Sequence, residues 1–170
     1  WSFKINDSNK KAITRFISEK NGRKHLLIFG SKKSGKTSLG IGIMNELSIQ
    51  HKACFYSTSM KLFSLFYSEG KKDRSRKIWS WEDSSFLMID DINPGDPIKE
   101  ELVDSDKFLS FIDNSPTMSI RNREIIKNKS IIWILGNETS EMKVLQNSWS
   151  AMLMDIGVNK GDIITVNLND

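Results

Sequence analysis

Residues 25–37 read His-Leu-Leu-Ile-Phe-Gly-Ser-Lys-Lys-Ser-Gly-Lys-Thr, and this stretch decides the architecture. Leu26, Leu27, Ile28 and Phe29 form an unbroken apolar run, the pattern of a strand buried on both faces. The run leads straight into Gly30-Ser31-Lys32-Lys33-Ser34-Gly35-Lys36-Thr37, which fits the phosphate-loop spacing G-x-x-x-x-G-K-[ST]. Gly30 and Gly35 let the main chain close on a phosphate, with N–H groups inward and no Cβ in the way. Lys36 is spaced to reach the β- and γ-phosphates, and the Thr37 hydroxyl to hold Mg²⁺. The helix expected next turns its positive end toward the anion. Gly30, Ser31, Lys32, Lys33, Ser34, Gly35, Lys36, Thr37 and Ser38 are therefore the expected binding set for a nucleoside polyphosphate.

Two further apolar runs share the chemistry of the first. Phe86-Leu87-Met88-Ile89 ends in the adjacent carboxylates Asp90 and Asp91, 54 positions after Lys36. Ile131-Ile132-Trp133-Ile134-Leu135 ends at Gly136-Asn137. In a parallel sheet the C-terminal strand ends share one edge, where ligands bind. Lys36, Thr37, Asp90, Asp91 and Asn137 are thereby expected around one nucleotide. Asp90 would hold Mg²⁺ beside Thr37. Asp91 would orient or deprotonate the attacking water, and Asn137 would fix that water or touch the γ-phosphate. The plainer readings are a solvated strand end for Asp90-Asp91 and a turn residue for Asn137.

The remaining segments alternate in the same way. A leading segment, residues 1–24, carries one short helix with Ile13, Phe16 and Ile17 on its apolar face, ended by Asn21-Gly22. Leu39, Ile43, Met44 and Leu47 recur at helical spacing after the loop, and Gly40 and Gly42 are expected to let that helix pack closely on the sheet. Ala53-Cys54-Phe55-Tyr56 reads as a strand. A Ser57-Thr58-Ser59 cap and a helix bearing Met60, Phe63, Phe66 and Tyr67 follow. Helices are expected around Phe108–Ile112, around Ile120–Lys127 and after Thr139, and a last strand over Ile163–Leu168. Alternating strands and helices give an α/β three-layer sandwich, a five-stranded parallel sheet with helices on both faces.

With 170 residues the chain is expected to form one domain, burying about two-thirds of its unfolded surface. Apolar residues make up 38% and charged residues 27%, ordinary for a globular protein. No apolar run approaches the roughly 20 residues of a membrane span, so no membrane partner is expected. Cys54 is the single cysteine, which rules out an internal disulfide and suits a reducing, cytoplasmic setting, that of a host cell if the protein is viral. The net charge of +4 is unevenly spread. Residues 71–77 hold Lys71, Lys72, Arg74, Arg76 and Lys77 against one Asp, whereas residues 90–106 hold seven carboxylates against Lys99. The basic run, with Trp79 and Trp81 beside it, suits phosphate contact plus base stacking on nucleic acid. The competing reading is a solvated loop whose tryptophans pack inward.

On these three stretches the sequence resembles the AAA+ P-loop ATPases. Gly30–Thr37 looks like Walker A, Ile89-Asp90-Asp91-Ile92 like Walker B, and Ile131–Asn137 like sensor 1. Lys36–Leu47, followed by a Phe-Tyr strand, is similar to the replication initiator and helicase-loader group (DnaA, DnaC, IstB). The resemblance implies one AAA+-like domain over residues 1–170 and adenine-nucleotide binding with Mg²⁺. It also implies a nucleotide-dependent switch within a homo-oligomer or larger assembly acting in DNA replication or helicase loading. Three departures stand out. Asp91 occupies the place of a usual Glu, Lys32 and Lys33 replace small residues, and no arginine follows Arg123, so the arginine finger expected after sensor 1 is missing. Within residues 1–170 no C-terminal helical lid is expected. An arginine finger contributes about 10³–10⁵ in rate, so ATP hydrolysis is expected to be slow unless Arg121 or Arg123 substitutes.

Other readings compete. Asp90-Asp91-Ile92-Asn93-Pro94 followed by Phe108 is loosely similar to superfamily 3 viral helicases. A non-catalytic nucleotide-binding scaffold would also account for the missing arginines. Asn159-Lys160-Gly161-Asp162 fits the guanine-reading N-K-x-D spacing, but it lacks the long apolar strand that should precede it. His25 and His51 have no companions at metal-ligand spacing, so Mg²⁺ is the single metal expected.

Overall fold

The computed structural model of the chain describes residues 5–18, 23–67, 81–92, 103–113, 116–136 and 142–169. In chain order the elements are α1 (Asp7–Ser18), β1 (His25–Gly30), α2 (Lys36–Ile49), β2 (Cys54–Thr58), α3 (Ser59–Tyr67), β3 (Phe86–Asp90), α4 (Ser105–Ile112), α5 (Pro116–Lys127), β4 (Ser130–Gly136), α6 (Met142–Ile156) and β5 (Ile163–Asn167). The strands form one parallel sheet in the order β2-β3-β4-β1-β5. The strand before the phosphate loop is thus an interior strand, with β4 on one side and the edge strand β5 on the other.

Alternation along the strands divides two cores. Leu26, Ile28, Met88, Ile132 and Ile134 face α1 and α2, joined by Phe16, Ile43 and Leu47. Leu27, Phe29, Leu87, Ile89, Trp133 and Leu135 face the other way, onto Leu62, Phe63, Phe108, Ile126, Trp149 and Leu153 of α3–α6. Strands β1, β3 and β4 are buried at every residue, which is why they read as unbroken apolar runs. The second layer is the more aromatic: Phe108 meets Trp133 and Trp149 edge-on at centroid distances of 5.2 and 5.6 Å.

Several expectations are refined. β2 runs on through Ser57 and Thr58, and capping falls to Thr58, whose Oγ1 accepts the Lys61 N–H at 3.4 Å. Gly40 does serve close packing, since a Cβ there would stand 2.6 Å from Met88 Cε and 3.0 Å from Ile134 Cδ1. Gly42 does not, because a Cβ would meet nothing within 4 Å. Trp81 is 4% exposed and packs edge-on against Phe66 at 5.2 Å, so its ring is core and unavailable to stack on a base. Lys71, Lys72, Arg74, Arg76, Lys77 and Trp79 lie outside the described residues, as do Asn21-Gly22 and Thr139. Among the described residues no helix is long and apolar enough to cross a membrane.

Candidate functional site

The register of the sheet brings the distant motifs to one edge. Gly30 at the end of β1 pairs with Gly136 at the end of β4, and Asp90 closes β3 opposite Thr58 of β2. Asn137 follows Gly136 directly in the chain but lies outside the described residues.

The loop after β1 turns through left-handed backbone at Lys33 (φ 64°) and Gly35 (φ 90°), a conformation glycine adopts at little cost. Gly35 is also the N-cap of α2, and no side chain caps the helix there. The first N–H groups of α2 are left for an anion, reinforced by the helix dipole. Gly30 has no room for a Cβ, which would sit 2.4 Å from Ser34 Oγ and 3.3 Å from Leu168 Cβ. The Ser34 hydroxyl is buried without a hydrogen-bond partner among the described residues, a polar group inside the loop that a phosphate oxygen would satisfy. Lys36 Nζ donates to the carbonyls of Gly30 at 2.9 Å and Ser31 at 2.7 Å, which holds the ammonium across the mouth of the loop. Burial pushes its pKa down, and the nearby Asp90 carboxylate partly offsets the shift.

Thr37 and Asp90, 53 positions apart in the chain, meet here: Thr37 Oγ1 donates to Asp90 Oδ1 at 3.3 Å. Asp90 is 3% exposed. Its Oδ1 also accepts the Asp91 N–H at 2.9 Å, and its Oδ2 accepts the Tyr56 hydroxyl at 3.2 Å. A buried carboxylate beside a hydroxyl, with only oxygen donors, fits a hard divalent cation such as Mg²⁺. Among the described residues no His/Cys/Asp/Glu cluster offers a competing metal site. Asp91 adopts φ 53°, unusual for a non-glycine residue, and its carbonyl accepts Ser59 Oγ at 2.9 Å. Its carboxylate pKa is raised by burial and by repulsion from Asp90. That shift moves Asp91 toward the range of a useful general base.

Two site residues were not singled out in the sequence. Tyr56 reaches Asp90 from the edge strand, and its phenol pKa is pushed up to about 12 by burial and by Asp90, so it stays a donor. Asn169, just past β5, accepts the Ser31 N–H on Oδ1 at 2.9 Å and so ties the loop to the chain's last strand.

The remaining candidates lie elsewhere. Arg121 donates to Glu82 at 2.6 Å, and Arg123 bridges Asp113 at 2.5 Å and Asp155 at 3.3 Å. Glu82 precedes β3, so Arg121 sits at the opposite sheet edge, in a cleft of about 650 Å³ with Lys129. Neither arginine can serve its own chain's loop. Asn159–Asp162 also belongs to that edge. Asp162 adjoins Ile163, which pairs with His25, and it binds Lys24 Nζ at 2.5 Å. Five strand residues, about 16 Å, separate this turn from Gly30, which removes the guanine-reading alternative.

Solved structures share this fold. The chain superposes on the DnaC helicase loader with a TM-score of 0.56 at 17% identity, covering 97% of this chain and 93% of that one. DnaI gives 0.56 at 20% identity, covering 98% and 85%. The replication initiator DnaA, bound to AMPPCP and single-stranded DNA, gives 0.58 at 13% identity, covering 97% of this chain and 47% of that one. The fold is that of these helicase-loader and initiator structures. The expected α/β sandwich and its parallel five-stranded sheet are thereby borne out. The chain spans about half the length of the DnaA structures and nearly all of DnaC. No protein-family model and no curated sequence matches the chain.

Proposed function

We propose that this AAA+ fold binds ATP with Mg²⁺ and hydrolyses it slowly, acting as a nucleotide-dependent switch in a larger assembly of the replication or helicase-loading kind. The observation that carries the reading is the 3.3 Å approach of Thr37 Oγ1 to the buried Asp90 carboxylate at the mouth of an uncapped, glycine-flanked loop. In this reading the loop N–H groups from Gly30 to Ser38 and Lys36 neutralise the phosphates. Thr37 and Asp90 would hold Mg²⁺, which would supply charge stabilisation at the γ-phosphate. Asp91 accepts the proton of the attacking water, helped by its raised pKa, and Asn137 orients that water.

Support for the assembly role comes from the neighbours: DnaC is described as a helicase loader, and DnaA as bound to AMPPCP and single-stranded DNA. The basic run at residues 71–77 is the proposed nucleic-acid contact. Slow turnover follows from the arginines, because Arg121 and Arg123 are both engaged by carboxylates. That same observation favours a second reading, a scaffold that binds ATP without turning it over.

The test is mass measured in solution with ADP, with ATP and with a non-hydrolysable ATP analogue, with phosphate release followed in parallel. The switch reading expects the oligomer to change between ADP and the analogue and phosphate release to stay slow. The scaffold reading expects no phosphate release. An identical mass in every nucleotide state would refute the switch.

A further inference from the structure

We propose that Tyr56 is a positioning residue for the metal-directed carboxylate, its hydroxyl fixing Asp90 Oδ2 so that Oδ1 stays turned toward Thr37. The inference rests on the magnesium reading above. It starts from the strand register. Thr58 lies opposite Asp90, and Tyr56, two residues earlier, shares its side of the pleat and reaches Asp90 diagonally. A carboxylate on a strand end rotates about its last bond with a broad, two-fold preference. Two contacts of different origin oppose that rotation here. The Asp91 N–H holds Oδ1 at 2.9 Å, and the Tyr56 hydroxyl holds Oδ2 at 3.2 Å. Asp90 therefore presents one defined oxygen to the Thr37 hydroxyl rather than an average of two.

Core packing does not explain the tyrosine. Its side chain is 47% exposed on an edge strand, while the carboxylate it holds is 3% exposed. The ring reaches from solvent to a buried anion and satisfies an oxygen that water reaches poorly. Groups that orient metal-binding carboxylates in this way are commonly worth about 10–100-fold in metal affinity.

The experiment is calorimetric titration of ATP into the whole chain, with Mg²⁺ and separately in EDTA, for wild type, Tyr56→Phe and Tyr56→Ala. The readout is the ratio of the two affinities, which a purely structural role for Tyr56 leaves unmoved. The expected result is a fall of about tenfold in that ratio for both variants, because both lack the hydroxyl. A Tyr56→Phe ratio equal to wild type's would overturn the inference, including the case where only Tyr56→Ala falls, since that assigns the effect to the ring. A wild-type ratio of one would sink the magnesium reading itself and the inference with it, an outcome visible before any variant is compared.

Discussion

Replacing Asp90 by Asn separates what the carboxylate does for the fold from what it does for a ligand. Asp90 is 3% exposed and accepts three hydrogen bonds, from Thr37 Oγ1, the Asp91 N–H and the Tyr56 hydroxyl. An Asn in the same rotamer keeps Oδ1 for the first two and offers Nδ2 to the phenol oxygen. Hydrogen bonds to a charged group are each worth about 1 kcal/mol more than neutral ones, so the three lose about 3 kcal/mol together. Against this, the buried carboxylate carries a desolvation penalty of several kcal/mol that the amide avoids. The two nearly cancel, and Asp90→Asn is expected within about 1 kcal/mol of wild type, a Tm change of about 2–4 °C. The assay is thermal unfolding with ATP, with and without Mg²⁺. At 100 times Kd a ligand stabilises by about 2.7 kcal/mol, so wild type should gain about 5–11 °C. The variant should lose the Mg²⁺-dependent part of that gain. The reasoning fails if Asp90→Asn loses more than about 3 kcal/mol without ligand, or if it keeps the full Mg²⁺-dependent rise.

Asp91→Asn should retain ATP binding and lose phosphate release, and wild-type turnover should fall as acid protonates the Asp91 carboxyl; undiminished release in the variant would remove Asp91 from its role. Gly40→Ala gains about 1 kcal/mol of helix propensity but drives a Cβ to 2.6 Å from Met88 Cε, so a net loss of about 1 kcal/mol is expected in urea titration. Gly42→Ala, facing open space, should gain about 0.5–1 kcal/mol in the same titration. His25, held neutral by burial with its pKa lowered to about 3, accepts Trp133 Nε1–H on Nδ1 at 3.1 Å. The unfolded chain binds that proton below about pH 6.5 and the folded chain does not. Stability should therefore fall by about 1.4 kcal/mol per pH unit between pH 6 and 4, and His25→Gln should flatten that limb of a denaturation-versus-pH series.

What could be read from sequence follows the physics of burial. Strands β1, β3 and β4 are covered on both faces and so announce themselves as apolar runs ending in Gly30, Asp90 and Gly136. The phosphate loop is a local backbone device, and its glycines carry its geometry in the sequence itself. β2 is an edge strand with mixed burial, so its end at Thr58 was blurred by a Ser-Thr-Ser run that reads equally well as a cap. The roles of Gly40 and Gly42 differ because Gly40 lies 3, 4 and 7 positions before Ile43, Met44 and Leu47, on the buried stripe facing Met88, whereas Gly42 falls off that stripe and faces solvent. Trp81 beside a basic run suits either base stacking or inward packing, and its ring packs inward against Phe66. Tyr56 and Asn169 were invisible for a more general reason. Each acts across the sheet on a residue 34 or 138 positions away, and no periodicity records such a contact.

The most direct test of the central claim is equilibrium binding of ATP to wild type and to Lys36→Ala, both with Mg²⁺ present. Lys36 crosses the loop mouth at 2.7–2.9 Å from two of its carbonyls, so it is expected to exchange those partners for phosphate oxygens. One ATP per wild-type chain and an affinity weaker by about 100-fold in the variant, roughly 2.7 kcal/mol, is the expected result. Equal affinity in the two proteins would contradict the assignment of this loop as a nucleotide site.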